Sequence, residues 1–192
     1  MDARRAMGPA SRNSGEQQNR SRCGANDRLH YRPRASPRSG RKGGIQRNAL
    51  GRSRGGFSTK IHLRTNAQGL PIGTVLTAGE THDVKGYGAL MQEDAPEPKV
   101  LLADRGYAAD DIRSDIELRG GTPVIPTKKN RRVQIEIDGA IQSLRNRIER
   151  CFNRLKNSRR FATRYDKLAE TFVGFVNLTS IRLWLRHFVN AA

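Results

Sequence analysis

The chain has 192 residues, enough for one domain of ordinary size with a tail. Its 36 lysines and arginines face only 18 acidic residues, and a formal net charge of +18 makes nucleic acid the default partner. A secreted or membrane-spanning chain is not expected, because the N-terminal residues lack an apolar signal and the most apolar segment, 172–189, contains two arginines. Cys23 and Cys151 have no metal-ligand spacing, which indicates free thiols in a reducing cytoplasm.

Residues 1–50 differ in composition from the rest of the chain. They contain twelve lysines and arginines against three acidic residues, with glycine, serine and proline between them. Such a segment cannot bury enough apolar surface to offset the entropy lost on ordering, so it is predicted to be disordered. A basic arm that follows phosphate groups is the functional interpretation of the same composition.

Residues 51–192 are typical of a folded α/β domain. Candidate strands at 58–64 and 72–77 flank the turn sequence Asn-Ala-Gln-Gly-Leu-Pro, which predicts a hairpin. A short helix is expected to begin at Thr81 or Asp83. An apolar strand follows at 100–103.

The second half alternates helices and strands. A helix is predicted within 108–121, with Ile112, Ile116 and Leu118 facing inward, and a buried strand follows it. Two further helices are predicted at 142–159 and 167–188. Strands followed by helices indicate a mixed sheet covered on both faces.

Two acidic residues stand out as candidates for chemistry. Asp104 follows the apolar strand 100–103, at the end of the strand where open α/β sheets place their sites, although a simple turn or cap is an equal alternative. Glu149 lies on the helix 142–159, beside an apolar stripe. The stripe consists of Leu144, Ile148, Cys151 and Leu155.

Glu149 belongs to a second, polar stripe on the same helix. Its members are Arg145, Glu149, Asn153 and Lys156. A solvated face with ion pairs is the simpler interpretation. The alternative is that a carboxylate from this helix and one from a strand end together hold a hard divalent cation.

Several segments resemble a known family in their sequence and order. They are GRSRGGFSTKIHL, LTAGETHD, ADRGY, IPTKKNRR, RNRIERCFNRLK and RRFATRYDK. In this order they resemble the catalytic part of bacterial insertion-sequence transposases with a DDE triad. The family signature Y-(2)-R-(3)-E-(6)-K is matched at Arg145, Glu149 and Lys156, with Gln142 in place of its tyrosine.

The resemblance implies an RNase H-like fold that cuts and joins phosphodiester strands at transposon ends. Asp104 and Glu149 would be the second and third triad carboxylates and would bind Mg²⁺ or Mn²⁺. The implied partners are double-stranded transposon ends and target DNA in the bacterial cytoplasm at the nucleoid, with a homo-oligomer as a further expectation. The implied DNA contacts are Arg145, Lys156, Arg150, Arg131 and Arg132.

The first aspartate of the family, which lies in a motif similar to D-S-x-x-x-R-A-H, has no match in residues 1–50. Asp27 is the nearest acid, in a stretch too rich in arginine to predict a central strand. Codons can be chosen for residues 27–40 that, read one base later, spell I-D-S-I-I-A-R-A-H-P-R-A-A-G. We therefore interpret residues 1–40 as an out-of-frame translation, and expect the first central strand and the family's N-terminal DNA-binding region to be missing or degraded.

Two other functions remain open from the sequence. A truncated, inactive copy would be a non-enzymatic DNA-binding remnant that interferes with an intact transposase. An RNA-directed module is disfavoured because stacking aromatic residues are sparse. His62 and His82 could lie near the site, but roles in the core or in helix capping are favoured for both.

Overall fold

A computed structural model describes residues 22–30, 48–53 and 56–191 of the chain. The strands are β1 (Arg22–His30), β2 (Gly51–Ser53), β3 (Gly56–Thr65), β4 (Pro71–Ala78), β5 (Val100–Leu102) and β6 (Thr122–Val124). The helices are α1 (Val84–Gln92), α2 (Asp110–Leu118), α3 (Gly139–Ser143), α4 (Asn146–Lys156), α5 (Arg159–Ala162) and α6 (Ala169–Ala191), with a 3₁₀ turn at Arg105–Tyr107. Within these residues, no helix is both long enough and apolar enough to cross a membrane.

The central strand of the larger sheet is β3, which pairs antiparallel with β1, β2 and β4. Its connection to β4 is the predicted hairpin, in which the Asn66 side chain accepts hydrogen bonds from the backbone of Gln68 at 3.1 Å and Leu70 at 2.9 Å. The parallel pair β5–β6 forms a second sheet, and β1 runs beside β5. The expected α/β architecture with flanking helices is confirmed, but the predicted mixed sheet is divided into an antiparallel sheet and a separate parallel pair.

The strand β1 corrects the predicted disorder of residues 22–30, and it lies at the edge of the larger sheet, where it pairs only with β3 among the described strands. Arg22–His30 pairs with β3, and Asp27 stands opposite Ile61 in that register. Strand pairing uses backbone N–H and C=O groups, which an arginine-rich segment also has, and β3 offers a row of them at this edge. The predicted disorder of residues 1–21 and 31–47 concerns residues outside those described, and the out-of-frame origin stays a hypothesis about the gene.

Two other local expectations are wrong. The helix predicted at 142–159 is divided into α3 and α4, because the hydrogen bonds at Leu144 and Arg145 join residues three apart and tighten the backbone there. Leu118 was expected to face inward with Ile112 and Ile116. As the last residue of α2 it is 87% exposed, while both isoleucines are buried.

The two faces of β3 are buried against different surroundings. Ile61 and Leu63 lie in an apolar core formed with α4, α5 and α6. On the opposite face, Lys60, His62 and Arg64 alternate with them and are also buried. A second apolar core lies among α1, α2 and β5. A sheet buried on both faces is confirmed, but one side of its central strand is polar.

Arg164, between α5 and α6, is a fully buried cation that joins distant parts of the chain. Its guanidinium donates hydrogen bonds to five oxygen atoms. They are the carbonyl oxygens of Asn48 (2.8 Å), Ala49 (3.4 Å), Asp166 (2.9 Å) and Lys167 (3.1 Å) and the hydroxyl of Thr59 (2.5 Å). The guanidinium also lies over the Phe172 ring, 5.1 Å from its centroid.

Replacing Arg164 by methionine is expected to lower the free energy of unfolding by about 3 kcal/mol, because buried carbonyl oxygens would lose charged donors. Arg160→Met is the matched control, since the Arg160 side chain is 53% exposed and its ion pair with Asp166 should contribute less than about 1 kcal/mol. Urea denaturation followed by circular dichroism measures both variants. Equal losses for the two variants would contradict the structural role of Arg164.

Candidate active site

Asp104 lies at the end of β5, where the chain turns into the 3₁₀ segment Arg105–Tyr107. Its carbonyl oxygen accepts a hydrogen bond from the Tyr107 N–H at 2.9 Å, and its half-buried carboxylate faces an open cleft of about 490 Å³. The cleft is lined by Asp83, Asp104, Arg105, Gly106, Gln142 and Arg145. Asp104 therefore begins a tight turn and also faces the cleft.

Arg145 joins the two predicted acidic residues. One guanidinium nitrogen, Nη1, lies 3.0 Å from Asp104 Oδ1, and the other, Nη2, lies 3.3 Å from Glu149 Oε1. The tightened turn before α4 places Arg145 at the cleft, and Glu149 follows one helical turn later. Residues from a strand end and from a helix are thus brought to one positively charged group.

The cleft concentrates negative charge. Burial raises the pKa of Asp104, while Arg145 acts in the opposite direction by favouring the ionised carboxylate. The nearby charges of Glu149 and Asp83 raise the pKa of Asp104 further, since they repel a second negative charge. The charges of Glu149 and Asp83 therefore both act on Asp104, and Arg145 directly contacts Asp104 and Glu149.

Asp83 is a cleft residue whose contacts the sequence did not reveal. It was expected to cap a helix, and it does stand before α1, but its side chain makes no capping hydrogen bond. Instead, Asp83 Oδ1 accepts a hydrogen bond from Lys60 Nζ at 2.5 Å, and the same ammonium donates to the Thr81 carbonyl at 2.5 Å. The motif LTAGETHD contains Asp83, but only the alternation of buried positions on β3 could have indicated Lys60 as its partner.

Gly106 has to be a glycine for the turn to approach Asp83. A Cβ at Gly106 would lie 2.0 Å from Asp83 Oδ2, closer than any van der Waals contact allows. The Asp83 carboxylate therefore rests directly against the turn that carries Asp104.

His62 has a role in the polar face of β3 below the site. Its Nδ1 is 2.6 Å from the Tyr107 hydroxyl, and its Nε2 is 2.8 Å from Thr77 Oγ1. Burial lowers the pKa of His62 to about 4. The negative charge of Asp83 acts in the opposite direction and raises this pKa, whereas the positive charge of Lys60 lowers it further. Neutral His62 thus anchors Tyr107, three residues after Asp104, so the core role favoured for it agrees with the structure.

Close packing around His62 also depends on a glycine. A Cβ at Gly86 of α1 would lie 2.5 Å from the imidazole ring, so this helix can approach β3 only without a side chain there. His82, the other candidate histidine, is exposed, and its carbonyl oxygen accepts a hydrogen bond from the Lys85 N–H at 3.0 Å.

The remaining basic candidates do not line the cleft. Arg131 is half-buried and forms an ion pair with Asp110 at 2.7 Å. Arg132, Arg150 and Lys156 are exposed. In the described part of the chain, no three histidine, cysteine or acidic side chains are arranged as a metal site. The two predicted metal ligands, Asp104 and Glu149, both contact Arg145.

With this geometry established, comparison with known proteins defines the family. Residues 30–184 match the family described as the transposase DDE domain, so the chain belongs to that family. Its relatives are transposases of insertion sequences, as the sequence motifs predicted.

Two relatives illustrate the likeness. A transposase of insertion sequence element IS6501 from Brucella ovis is 34% identical over 134 residues, which are 68% of this chain and 100% of the relative. A transposase of insertion sequence element IS402 from Burkholderia cepacia is 28% identical over 141 residues, with 68% of this chain and 64% of the relative covered. The chain thus spans somewhat less than two thirds of the second protein.

Among solved structures, a chain of the Mos1 strand transfer complex aligns with a TM-score of 0.38 and 12% sequence identity. The alignment covers 88% of this chain and 54% of that chain. A likeness at this level adds nothing to the family assignment, which rests on the sequence matches.

The lowered pKa of His62 predicts a pH dependence of stability. Between pH 6.5 and about 4, an unfolded chain binds a proton at His62 that the folded chain does not, so acidification across this window should destabilise the fold. The loss should reach roughly 3 kcal/mol at the acidic end. Urea denaturation at a series of pH values measures it.

The control for this prediction is His62→Gln, which keeps a polar side chain but cannot bind a proton in this range. This variant should be less stable than the wild type at pH 7, and the difference should shrink as the pH falls. A difference that stays constant from pH 7 to pH 4 would contradict a neutral, buried His62.

Proposed function

We propose that the chain is a DDE transposase that binds transposon-end DNA and catalyses metal-dependent strand cleavage and strand transfer on an RNase H-like fold. The single observation that carries this proposal is the convergence of Asp104 and Glu149 on one guanidinium at the cleft. Glu149 is 52% exposed, and its contact with Arg145 four residues earlier is also what a solvated helix face with ion pairs would show. The contact of the same guanidinium with Asp104, which comes from another element, supports the family interpretation of both acids.

The donor set fits a hard divalent cation such as Mg²⁺ or Mn²⁺. Asp104 and Glu149 offer carboxylate oxygens that already approach a common positive charge. Mg²⁺ is commonly held by one or two protein carboxylates together with substrate phosphates and waters. When bound, such an ion would supply charge stabilisation to the oxygens that enter and leave at phosphorus.

The reaction is a displacement at a phosphodiester. In cleavage, a water oxygen bonds to phosphorus as the bond to the 3′ oxygen breaks, leaving a 5′ phosphate and a 3′ hydroxyl. In strand transfer, the oxygen of that 3′ hydroxyl bonds to a target phosphorus as the target's own bond between phosphorus and its 3′ oxygen breaks. The attacking hydroxyl loses its proton, and the released target 3′ oxygen gains one. Arg145, Arg150 and Lys156 would hold the DNA backbone beside the cleft, and Arg131 and Arg132 would extend this basic surface.

We propose that Asp27 is the first triad carboxylate. Its strand β1 pairs with β3, runs beside β5 and packs against α4, the elements that lead to Asp104 and carry Glu149. Action on chromosomal DNA would place the protein in the bacterial cytoplasm at the nucleoid, and a homo-oligomer would bring two transposon ends together.

A second function, the non-enzymatic DNA-binding remnant, is favoured by one observation. The family match begins at residue 30 and therefore leaves Asp27 outside it. An out-of-frame translation of residues 1–29 would give this pattern, whereas residues 30–40 of the segment interpreted as out of frame lie inside the match. The nucleotide sequence across codons 20–50 tests that origin directly.

Asp104→Asn and Glu149→Gln should each reduce strand cleavage by at least about a hundredfold, because each removes a carboxylate from the site. Their affinity for duplex DNA should change little. Nicking of a labelled duplex that carries the insertion-sequence ends measures cleavage, and fluorescence anisotropy measures binding.

The same assay separates the two proposed functions. An active wild-type chain that loses cleavage on Asp27→Asn supports Asp27 as the first carboxylate. A wild-type chain that binds duplex DNA but does not nick it, while a version with the frame restored does, would establish the remnant.

Binding to DNA should weaken steeply with salt, because association releases counterions from the phosphates. Lys156→Ala should reduce the slope of log affinity against log salt by about one unit. Lys99→Ala is the matched control, since Lys99 is an exposed lysine that precedes β5 at the end opposite Asp104. Equal slopes for Lys156→Ala and wild type would remove Lys156 from the DNA-binding surface.

A further inference from the structure

We propose that Arg145 is an exchangeable countercharge that couples DNA binding to metal binding. Without DNA it neutralises Asp104 and Glu149 and opposes the entry of a divalent cation. A DNA phosphate draws the guanidinium away and leaves the carboxylates to the cation. This inference deepens the proposed function and rests on it.

The geometry supports one guanidinium serving both acids. Nη1 contacts Asp104 and Nη2 contacts Glu149, at 3.0 Å and 3.3 Å, so Arg145 takes the place between them that a bridging cation would need. A metal ion bound to both carboxylates would lie next to the positive charge of Arg145. Like charges at such a separation repel strongly in a partly buried site.

The contacts of Arg145 are also easily exchanged. Its side chain is 34% exposed and that of Glu149 is 52% exposed. Solvent therefore screens the ion pair, and the attraction between the two side chains is weak. Arg145 lines the open cleft, where a DNA strand would arrive. A phosphate offers the planar guanidinium two oxygens and competes well with two separate carboxylate contacts.

The charges predict the direction of the coupling. Asp83, Asp104 and Glu149 act together at the cleft, and Lys60 already pairs with Asp83. Once Arg145 turns to a phosphate, Asp104 and Glu149 keep their negative charge and form no other ion pair within the described residues. The phosphate can also serve as a further metal ligand, so DNA and cation should each increase the affinity for the other.

The test measures Mn²⁺ binding by electron paramagnetic resonance in metal-free buffer, with and without a short DNA duplex. Wild-type protein is compared with Arg145→Gln, which removes the charge but keeps a polar side chain. Arg154→Gln is the control for net charge, since Arg154 is an exposed arginine on the same helix α4. The Mn²⁺ bound by the duplex alone is subtracted, and thermal unfolding checks that each variant is folded.

Without DNA, Arg145→Gln should bind Mn²⁺ roughly tenfold more tightly than the wild type, within the range usual for coupled sites, and Arg154→Gln should not. The duplex should raise the Mn²⁺ affinity of the wild type and raise that of Arg145→Gln by a smaller factor. Arg145→Gln binding Mn²⁺ no more tightly than the wild type, or an equal effect of the duplex on both proteins, would overturn the inference.

Failure of the proposed function gives a different result. If Asp104→Asn binds Mn²⁺ as the wild type does, both with and without duplex, then the metal is not at this site and the proposed function fails. If Asp104→Asn loses Mn²⁺ binding while Arg145→Gln gains none, the metal site stands and only the coupling is rejected.

Discussion

The burial of both faces of β3 is the constraint on which the rest of the structure depends. This strand has three pairing partners and is buried on both faces from Ser58 to Thr65, so the side chains of these residues need partners on each face of the sheet. Ile61 and Leu63 meet that requirement with apolar contacts. Lys60 and His62 meet it with hydrogen bonds, because a buried polar group without a partner is costly.

The polar face of β3 determines how Asp104 is held. Lys60 fixes Asp83 and His62 fixes Tyr107, and both of these partners adjoin the turn that begins at Asp104. The hydrogen-bonded network on the polar face of β3 therefore supports the acid site, and it has few alternative arrangements. The other side of the site, formed by Arg145 and Glu149, is more exposed.

Local patterns predicted the β3–β4 hairpin, the strand end at Asp104 and the buried stripe of α4, because each depends on residues near one another in sequence. They failed at β1, whose pairing depends on the backbone of a partner 28 to 43 residues away rather than on its own side chains. The contacts of Asp83 were missed for a similar reason, since its partner Lys60 comes from another element. Family spacing indicated Arg145, but its simultaneous contact with both acids exists only in three dimensions.

The buried Arg164 guanidinium has a consequence for synthesis of the protein on the ribosome. It satisfies the carbonyl oxygens of residues 48 and 49, which are translated more than a hundred residues earlier. A nascent chain can pair β3 with β4 early, yet the carbonyl oxygens of residues 48 and 49, just before β2, lack the Arg164 guanidinium until it leaves the exit tunnel. Completion of the fold is then a late, non-local step, of the kind that slows folding and leaves incomplete chains prone to aggregation.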